Sequence, residues 1–398
     1  MGARAIVLTA MRRAGLVPGG QADLVGEDAT VVHEKFDHRV MVFFPDPPEN
    51  YYQLHQWIEP LRDLDREHRV LVVCQDSRTA AALRADSTLD CRVVARNRTL
   101  EALVRDSPLG LCLYVGQANA NAVALRLNRL AHVFLSHGES DKLVTVSNLE
   151  KSFDEVFVAG DAAVDRHRRS LMFFDIDRLV PIGRPQARYF APPPPDAPVT
   201  VLYAPTWEGS QEVNEYSSLK SHGIAVLESA VASKTHLIFR PHPRTGRSDR
   251  TYRSALASII EYTARHPDVI EFDTSNDATA SMSRSHVLIS DVSAMAVDWL
   301  ATGRPLIVTR PTSPKATVVN SRLLASVPRL SVDDAAQAAT VATALLEDNE
   351  AITAIADLCS YYLGATSGNS RAFVKACGAI LARRDDAWAA IHDEGSVA

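Results

Sequence analysis

Cysteines and long apolar runs are scarce in this chain of 398 residues. The 5 cysteines are scattered and none forms a CxxC pair, which favours single packing residues in a reducing, cytoplasmic compartment over a disulfide framework. The apolar run at residues 5–8 is too short for the core of a secretion signal. No run reaches the roughly 18 apolar residues of a transmembrane helix, so the sequence predicts no membrane-spanning segment.

An excess of charge of one sign is absent as well. The chain has 42 basic and 48 acidic residues, a net charge of −6, and no block of like charges, which argues against nucleic acid as a partner. The sequence also lacks the motifs GxxxxGK[ST] and GxGxxG, and it shows no cluster of histidine and cysteine with zinc spacing. We therefore expect no P-loop, no dinucleotide fingerprint, no metal site and no cofactor.

What the chain does have is a recurring alternation of short apolar segments with helical ones. The first series includes VMVFF, RVLVVC, GLCLYV and AHVFLSH, and a second series begins at residue 199 with VTVLYAP. Strands that alternate with helices favour parallel sheets covered by helices on both faces. From residue 333 onward the pattern is helical throughout.

A proline-rich stretch separates the two series. FAPPPPDAP, residues 190–198, has 5 prolines, which neither a helix interior nor a central strand tolerates. We predict a first domain at 1–191, a stiff linker at 192–198, and a second domain with a helical tail at 199–398. The predicted fold class is α/β, with two doubly wound, Rossmann-like domains that face a cleft. Such sheets bind ligands at the carboxyl ends of their strands.

The first strand end with chemical groups is HVFLSHGESDK, at residues 132–142. A histidine such as His137 can take a proton from a hydroxyl, and Gly138 would let a substrate approach the backbone. The alternative for His137 is a helix cap or a core position. Glu139 either orients the imidazole or begins a helix, and Lys142 either meets an anionic substrate or stays solvated.

Two loops near the linker are further candidates. PIGRPQARYF, at 181–190, has a turn at Gly183 that either faces the cleft or serves as a plain connector. In YAPTWEG, at 203–209, Thr206 could donate to a phosphate and Trp207 could form a cleft wall; the alternative is a turn with a core aromatic residue.

The segment FRPHPRTG, at 239–246, presents a histidine between two prolines. The prolines fix the backbone around His242, and Arg240 and Arg244 lie on either side. A rigidly held histidine between two arginines suits the binding of an anion such as a phosphate.

The last candidate is LISDVSAMAVDW, at 288–299, where a strand passes into a helix. The N–H groups of a helix N-terminus, with the hydroxyls of Ser290 and Ser293, could bind an anion, and Asp291 lies between them. Asp298 follows along the helix, where it could accept from ribose hydroxyls. The alternative is a serine N-cap with Asp298 on a solvated face.

Taken in order, these motifs resemble the CDP-glycerol glycerophosphotransferase family, the teichoic acid polymerases. The matching parts are a strand ending in HG with a following lysine (His137, Gly138, Lys142), a G-x-P-R-type turn (183–186), YAPTW (203–207), [KR]-x-HP (240–243) and a TDYSS-x-x-x-D-like segment (290–298). The resemblance spans roughly residues 131–309. Val292 and Ala294 stand where that family has a tyrosine and a serine, and residues 139–141 replace the middle of its HGTP-x-K motif.

The resemblance implies a GT-B fold and an inverting transfer of a polyol-phosphate from a CDP-activated donor, with release of CMP and no required metal. The acceptor would be a hydroxyl of a polymeric or lipid-linked, teichoic-acid- or capsule-type molecule, which implies a cytoplasmic protein, peripheral on the inner membrane face. Matching positions make His137 the general base and His242 the residue that steadies the donor phosphates. The other implied donor contacts are Gly183, Thr206, Arg240, Ser290, Asp291, Ser293 and Asp298. The implied acceptor-side residues are Gly138, Glu139 and Lys142.

Two other functions use the same strand ends. One is a GT-B glycosyltransferase or nucleotide-sugar epimerase that uses a UDP-sugar, because it too binds a nucleotide diphosphate in the cleft. The other is a non-catalytic nucleotide-binding protein. Release of CMP favours the polyol-phosphate transferase, whereas release of UDP or formation of an epimer favours the enzyme that uses a UDP-sugar.

Overall fold

A computed structural model describes residues 26–142, 145–209, 212–275, 277–364 and 368–394, together with Val7 and Met11. The first domain is built on a seven-stranded sheet in the order β3-β2-β1-β4-β5-β6-β7, and every neighbouring pair is parallel. Its strands are β1 Val40–Phe44, β2 Val70–Cys74, β3 Asp90–Val93, β4 Leu111–Tyr114, β5 Ala131–Phe134, β6 Glu155–Val158 and β7 Leu179–Pro181. Its helices are α1 Asp28–Val31, α2 Tyr51–His55, α3 Ile58–Asp65, α4 Ser77–Asp86, α5 Asn97–Arg105, α6 Ala122–Leu125 and α7 Asp161–Ser170.

The second domain has a six-stranded parallel sheet in the order β10-β9-β8-β11-β12-β13. Its strands are β8 Thr200–Ala204, β9 His236–Phe239, β10 Ile270–Phe272, β11 Val287–Ser290, β12 Leu306–Thr309 and β13 Arg329–Leu330. Its helices are α8 Gly223–Ser233, α9 Arg250–Arg265, α10 Thr279–Arg284, α11 Ala294–Trp299, α12 Arg322–Ser326 and α13 Ala338–Ala344, followed by α14 Asn349–Leu363.

The predicted fold class is therefore confirmed. The central strands are buried along their whole length, because helices cover both faces of each sheet. In each sheet the strand order reverses at one point, between β1 and β4 in the first and between β8 and β11 in the second. Ligands of doubly wound sheets bind at the carboxyl side of such a point.

The last helix, α15 Ser370–Glu394, packs against the first domain rather than the second. Phe373 inserts its ring 5.4 Å from that of Trp57 and 6.4 Å from that of Phe157, between centroids. Its neighbours Val374, Cys377, Ile380 and Leu381 belong to the same first-domain core. The domain limits 1–191 and 199–398 stay a prediction, but by packing this final helix belongs with the first sheet.

Within the described residues, no helix is both long and apolar enough to cross a bilayer.

Candidate active site

The carboxyl edges of the two sheets face each other across a cleft of about 710 Å³. It collects side chains from the loops after β1, β4 and β5 in the first domain and after β8, β9 and β11 in the second. Of the residues predicted from the sequence, those that line it are His137, Gly138, Lys142, Thr206, Trp207, Arg240, His242, Arg244, Ser293 and Asp298. Those outside its lining are Glu139, Gly183, Ser290 and Asp291.

His137 follows β5 and is partly buried, and its Nδ1 atom has no hydrogen-bond partner. Burial lowers the pKa of His137 to about 4, and the nearby cations Arg184, Lys142 and Arg244 act in the same direction. The imidazole is therefore neutral around pH 7, with a lone pair available to accept a proton.

The ring of Tyr52 contacts the rings of both His137 and His242. The ring centroids of Tyr52 and His137 are 6.0 Å apart, and those of Tyr52 and His242 are 5.3 Å apart, with both pairs edge to face. Since Tyr52 and His137 belong to the first domain and His242 to the second, this tyrosine sets the spacing of the two histidines across the cleft. Burial raises the pKa of Tyr52, so its hydroxyl stays protonated.

The His242 ring is oriented by its own loop. The backbone N–H of Arg244 donates to His242 Nδ1 over 3.1 Å, so in the neutral ring the proton is on Nε2. Burial, with Lys142 and His137 next in importance, lowers the pKa of His242 well below its usual range. The ring is therefore a neutral donor through Nε2.

Two cations meet the cleft without a carboxylate partner within hydrogen-bond distance in the described part of the chain. The guanidinium of Arg244 lies 4.0 Å above the ring of Trp207, a cation–π contact. Lys142 donates across the domain boundary to Thr206 Oγ1 over 2.9 Å. Burial lowers the pKa of Lys142 to about 8, against a smaller opposite effect of Asp291.

The buried carboxylate of Asp291 holds the loop after β8 in place. It accepts from the N–H groups of Thr206 and Ser218, over 2.7 and 3.2 Å, and from Thr309 Oγ1 over 2.5 Å. Asp291 is fully buried, and burial raises its pKa despite these bonds. In this geometry Asp291 positions Thr206 rather than facing the cleft itself.

The two serines of the same segment differ in position. Ser290 Oγ donates to the Ala204 carbonyl over 2.7 Å and is fully buried, so it ties β11 to β8. Ser293 lies at the cleft, where its Oγ accepts from Ala296 N–H and caps α11. Ser293 Oγ is also 3.1 Å from Ser290 Oγ.

Arg240 lines the cleft, but its guanidinium is already engaged. It forms an ion pair with Asp273 over 2.5 Å and donates to the carbonyl and hydroxyl of Ser275. This pairing leaves Arg240 less able to bind a ligand phosphate than the sequence suggested.

Glu139 likewise has a structural partner. Its carboxylate pairs with Arg166 of α7 and accepts from the N–H of Ala159 over 3.3 Å. Both Glu139 and Arg166 are buried. The pair fixes the loop after β5 against α7, which supports His137 indirectly and leaves an orienting role for Glu139 a prediction.

The first and second domains touch closely beside His137. A Cβ atom on Gly138 would lie only 2.8 Å from the Cβ of Ala294, so this close approach requires glycine.

Arg184 donates to both carboxylate oxygens of Asp298, over 2.7 and 3.1 Å. Gly183, at φ 74°, makes the turn that directs Arg184 into this contact.

Residues 193–313 match the family described as CDP-Glycerol:Poly(glycerophosphate) glycerophosphotransferase. This match confirms the resemblance over this part of the chain. The matched segment contains YAPTW, the His242 loop and the Ser290 to Asp298 segment, whereas His137 lies before it. Comparison with curated protein sequences gives no significant match.

Solved structures share the fold. A variant of the wall teichoic acid polymerase TagF superposes with a TM-score of 0.57 at 14% identity, covering 96% of this chain and 95% of that one. Anabaena HepE in complex with UDP and glucose gives 0.54 at 11% identity, covering 87% and 99%. A glycosyltransferase from Rickettsia africae gives 0.53 at 12% identity, covering 87% and 98%. The likeness confirms the expected GT-B-like architecture.

The sequence motifs missed Tyr52 and the pairing of Arg184 with Asp298. Tyr52 belongs to PPENYYQ, a polar and aromatic segment that follows the buried strand β1 directly. The same strand-end argument that selected His137 would have selected it. No local signal marks the Arg184 to Asp298 contact, because its two residues are 114 positions apart.

Proposed function

We propose that the protein transfers a polyol-phosphate from a CDP-activated donor to a hydroxyl of a teichoic-acid- or capsule-type acceptor and releases CMP. The family match supports the donor class, and the contact of both His137 and His242 with the ring of Tyr52 is the observation that carries the chemistry. His137 supplies a proton acceptor from the first domain, and His242 supplies a hydrogen-bond donor from the second domain.

The second-domain side of the cleft suits the donor. Arg244 and the Nε2–H of His242, with Lys142 reaching across from the first domain, offer positive charge and a hydrogen bond to a pyrophosphate. Ser293 adds a hydroxyl at the carboxyl end of β11, beside the point where the strand order reverses. Trp207 forms the wall next to Arg244 and supports that side chain.

His137 is the proposed general base. An acceptor hydroxyl would attack the phosphorus that bears the polyol, and its proton would pass to the His137 imidazole. The new O–P bond forms as the bond from that phosphorus to the bridging oxygen breaks, and CMP leaves with the bonding electron pair. Since the pKa of His137 is about 4 in the free protein, the base is ready at neutral pH, and donor phosphates nearby would raise that pKa toward a more effective value.

The acceptor is proposed to be polymeric or lipid-linked, with the protein in the cytoplasm and peripheral on the inner face of the membrane. This placement follows from the acceptor class alone. A pelleting assay with vesicles that contain a lipid-linked acceptor, and with vesicles that lack it, tests it.

A UDP-sugar remains the second candidate donor. The specific observation in its favour is the shared fold with HepE, whose structure contains UDP and glucose. The same cations and Nε2–H would bind a UDP pyrophosphate, so the phosphate contacts do not separate the two donors.

Product analysis separates them. The purified protein is incubated with CDP-glycerol, CDP-ribitol or a UDP-sugar in the presence of a membrane extract as acceptor source, and nucleotides are resolved by chromatography. We expect CMP from a CDP-polyol. Release of UDP, or an epimerised UDP-sugar, with no CMP from either CDP-polyol would contradict the proposal.

A further inference from the structure

Glu208 carries a buried carboxylate that is bonded to one neighbouring segment. It accepts from the backbone N–H groups of Gly246, Ser248 and Asp249, over 3.0, 3.1 and 3.2 Å, and from Ser248 Oγ over 2.9 Å. Burial alone would raise the pKa of Glu208, but the bonds from backbone N–H groups and from the Ser248 hydroxyl hold that pKa below its usual value. An ionised side chain therefore fastens residues 246–249 at neutral pH.

The fastened segment belongs to the loop after β9, which carries two groups proposed to meet the donor phosphates. His242 and Arg244 lie in the first part of this loop, where the Arg244 N–H donates to His242 Nδ1. Gly246, at φ 74°, turns the chain so closely against α9 that a Cβ atom there would lie 2.8 Å from the Cα of Arg253. The far end of the loop is therefore fixed in place, by α9 on one side and by Glu208 on the other.

The residue before Glu208 holds the near end of the same loop. Trp207 lines the cleft, and its ring lies 4.0 Å from the guanidinium of Arg244 and 6.3 Å, between centroids, from the ring of His242. Two consecutive residues after β8 therefore hold the loop after β9 at both of its ends. Because Glu208 is outside the lining of the cleft, its carboxylate can act on a ligand only through this loop.

Helix capping does not account for Glu208. The helix that follows the loop, α9, has its own N-cap in Asp249, whose carboxylate accepts from the N–H and the hydroxyl of Thr251 over 2.6 and 2.8 Å. The bonds of Glu208 go instead to the segment in front of that helix. Its carboxylate therefore serves the loop.

This way of holding the loop uses no cation of the donor side. The described partners of Glu208 are N–H groups and one hydroxyl, with no arginine among them. Arg240 shows the opposite case, because Asp273 and Ser275 engage its guanidinium. Since Glu208 holds the loop through N–H groups, the guanidinium of Arg244 stays available to a phosphate.

Resting on the proposed function, we propose that Glu208 is a positioning residue for the donor, which fixes the loop at residues 242–249 in the conformation that lets His242 and Arg244 reach the pyrophosphate of the nucleotide. The loop is then ordered before the donor arrives, and binding does not have to order it. Loss of the Glu208 carboxylate should weaken the binding of a nucleoside diphosphate without removing any group that touches it.

Calorimetric titration with CDP and with UDP tests this role in the wild type, Glu208→Gln and the matched control Glu215→Gln. The glutamine keeps the shape of Glu208 but turns one acceptor oxygen into an N–H donor that faces other N–H groups. We expect Glu208→Gln to bind the nucleotide about 10-fold more weakly than the wild type. Glu215 accepts from the Tyr252 hydroxyl of α9 and does not bond the loop, so Glu215→Gln should leave the affinity unchanged.

A milder variant covers the case in which Glu208→Gln does not fold. Ser248→Ala removes only the hydroxyl that donates to Glu208 and keeps the bonds from the backbone. We expect it to weaken nucleotide binding about 3-fold.

A second readout does not depend on any nucleotide. The NMR signals of the ring nitrogens of His242, assigned by their absence in His242→Ala, report which nitrogen carries the proton. We expect the Nε2–H form alone in the wild type and in Glu215→Gln. We expect a mixture of both tautomers in Glu208→Gln, because a released loop no longer holds the Arg244 N–H on His242 Nδ1. A general loss of stability would leave this signature unchanged in the folded protein.

The outcomes separate the positioning role from the proposed function. Unchanged nucleotide affinity in Glu208→Gln, an equal loss in Glu215→Gln, or a single His242 tautomer in Glu208→Gln would each overturn the positioning role and leave the proposed function standing. If the wild type binds UDP and not CDP, and Glu208→Gln weakens UDP binding, the donor class of the proposed function is wrong and the positioning role stands. Binding of neither nucleotide by the wild type would overturn both.

Discussion

Arg184 of the first domain holds both carboxylate oxygens of Asp298 of the second, at 2.7 and 3.1 Å. The family resemblance implies that Asp298 contacts a ribose, and that role stays a prediction. A ribose would have to share a carboxylate that already has Arg184 as its partner. Burial raises the pKa of Asp298, and Arg184 opposes that rise. The pair fixes how the two walls of the cleft meet beside His137.

Loss of this pair should destabilise the protein. With the Arg184 side chain 5% and the Asp298 side chain 17% exposed, Asp298→Asn would leave a buried guanidinium without its counter-charge. We expect the free energy of unfolding to fall by about 3 kcal/mol, as for other broken buried ion pairs. Urea unfolding of the wild type and of Asp298→Asn measures this difference in the free energy of unfolding.

The matched control for that variant is Glu271→Gln. Glu271 pairs with Arg284, and both side chains are about half exposed. Removal of an exposed pair should cost less than about 1 kcal/mol. Equal effects of the two substitutions would show that the Arg184 to Asp298 contact is not a buried tie between the domains.

His137→Ala should separate chemistry from binding. Loss of the general base is expected to lower the transfer rate by about 10²- to 10⁴-fold, while the Kd for CDP stays nearly unchanged. His33→Ala, at an exposed histidine, is the control for loss of an imidazole. A fall in CDP affinity as large as the fall in turnover would exclude the base role.

Donor binding should depend on His242 and Ser293. His242→Ala removes the Nε2–H donor, and Ser293→Ala removes a hydroxyl at the cleft, so each should weaken CDP binding about 10-fold, roughly the value of one charge-assisted hydrogen bond. Because Ser293 also caps α11, Ser321→Ala, which removes the cap of α12 elsewhere, is the control for lost capping. Unchanged CDP affinity in both His242→Ala and Ser293→Ala would refute the anion site.

The affinity for CDP should fall at alkaline pH through Lys142. Burial lowers the pKa of Lys142 to about 8, so its ammonium group is present below pH 8 and is lost as the pH rises through that value. The Kd for CDP should therefore rise between pH 7 and 9.5. Lys142→Arg, which stays charged across this range, should flatten the profile. An identical alkaline loss in Lys142→Arg would exclude Lys142 as its origin.

Much of the fold was predictable because its signals are local. Buried strands such as Val40–Phe44 read as continuous apolar runs, and the proline-rich linker at 192–198 separates the two sheets. The strands β7 and β13 were missed because segments of three and two residues carry no periodicity. The docking of α15 on the first domain was missed because a helical pattern does not specify which sheet it covers.

The sequence was sufficient to predict which residues lie at strand ends near the site. It was not sufficient to predict the hydrogen-bond and ion-pair partners of those residues. The strand-end argument found His137, Lys142 and His242, which line one cleft in the structure. It could not tell that Asp291 is fully buried or that Arg240 is paired with Asp273, since both depend on contacts between distant segments. Residue type indicated the chemistry, and the tertiary structure decided which of these groups remain free to use it.

The most direct test of the account is calorimetric titration of the purified protein with CDP, UDP, GDP and ADP under identical conditions. The account predicts a clear preference for CDP, with CDP bound at least 10-fold more tightly than UDP. A preference for UDP, or no binding of any of the four, would contradict it.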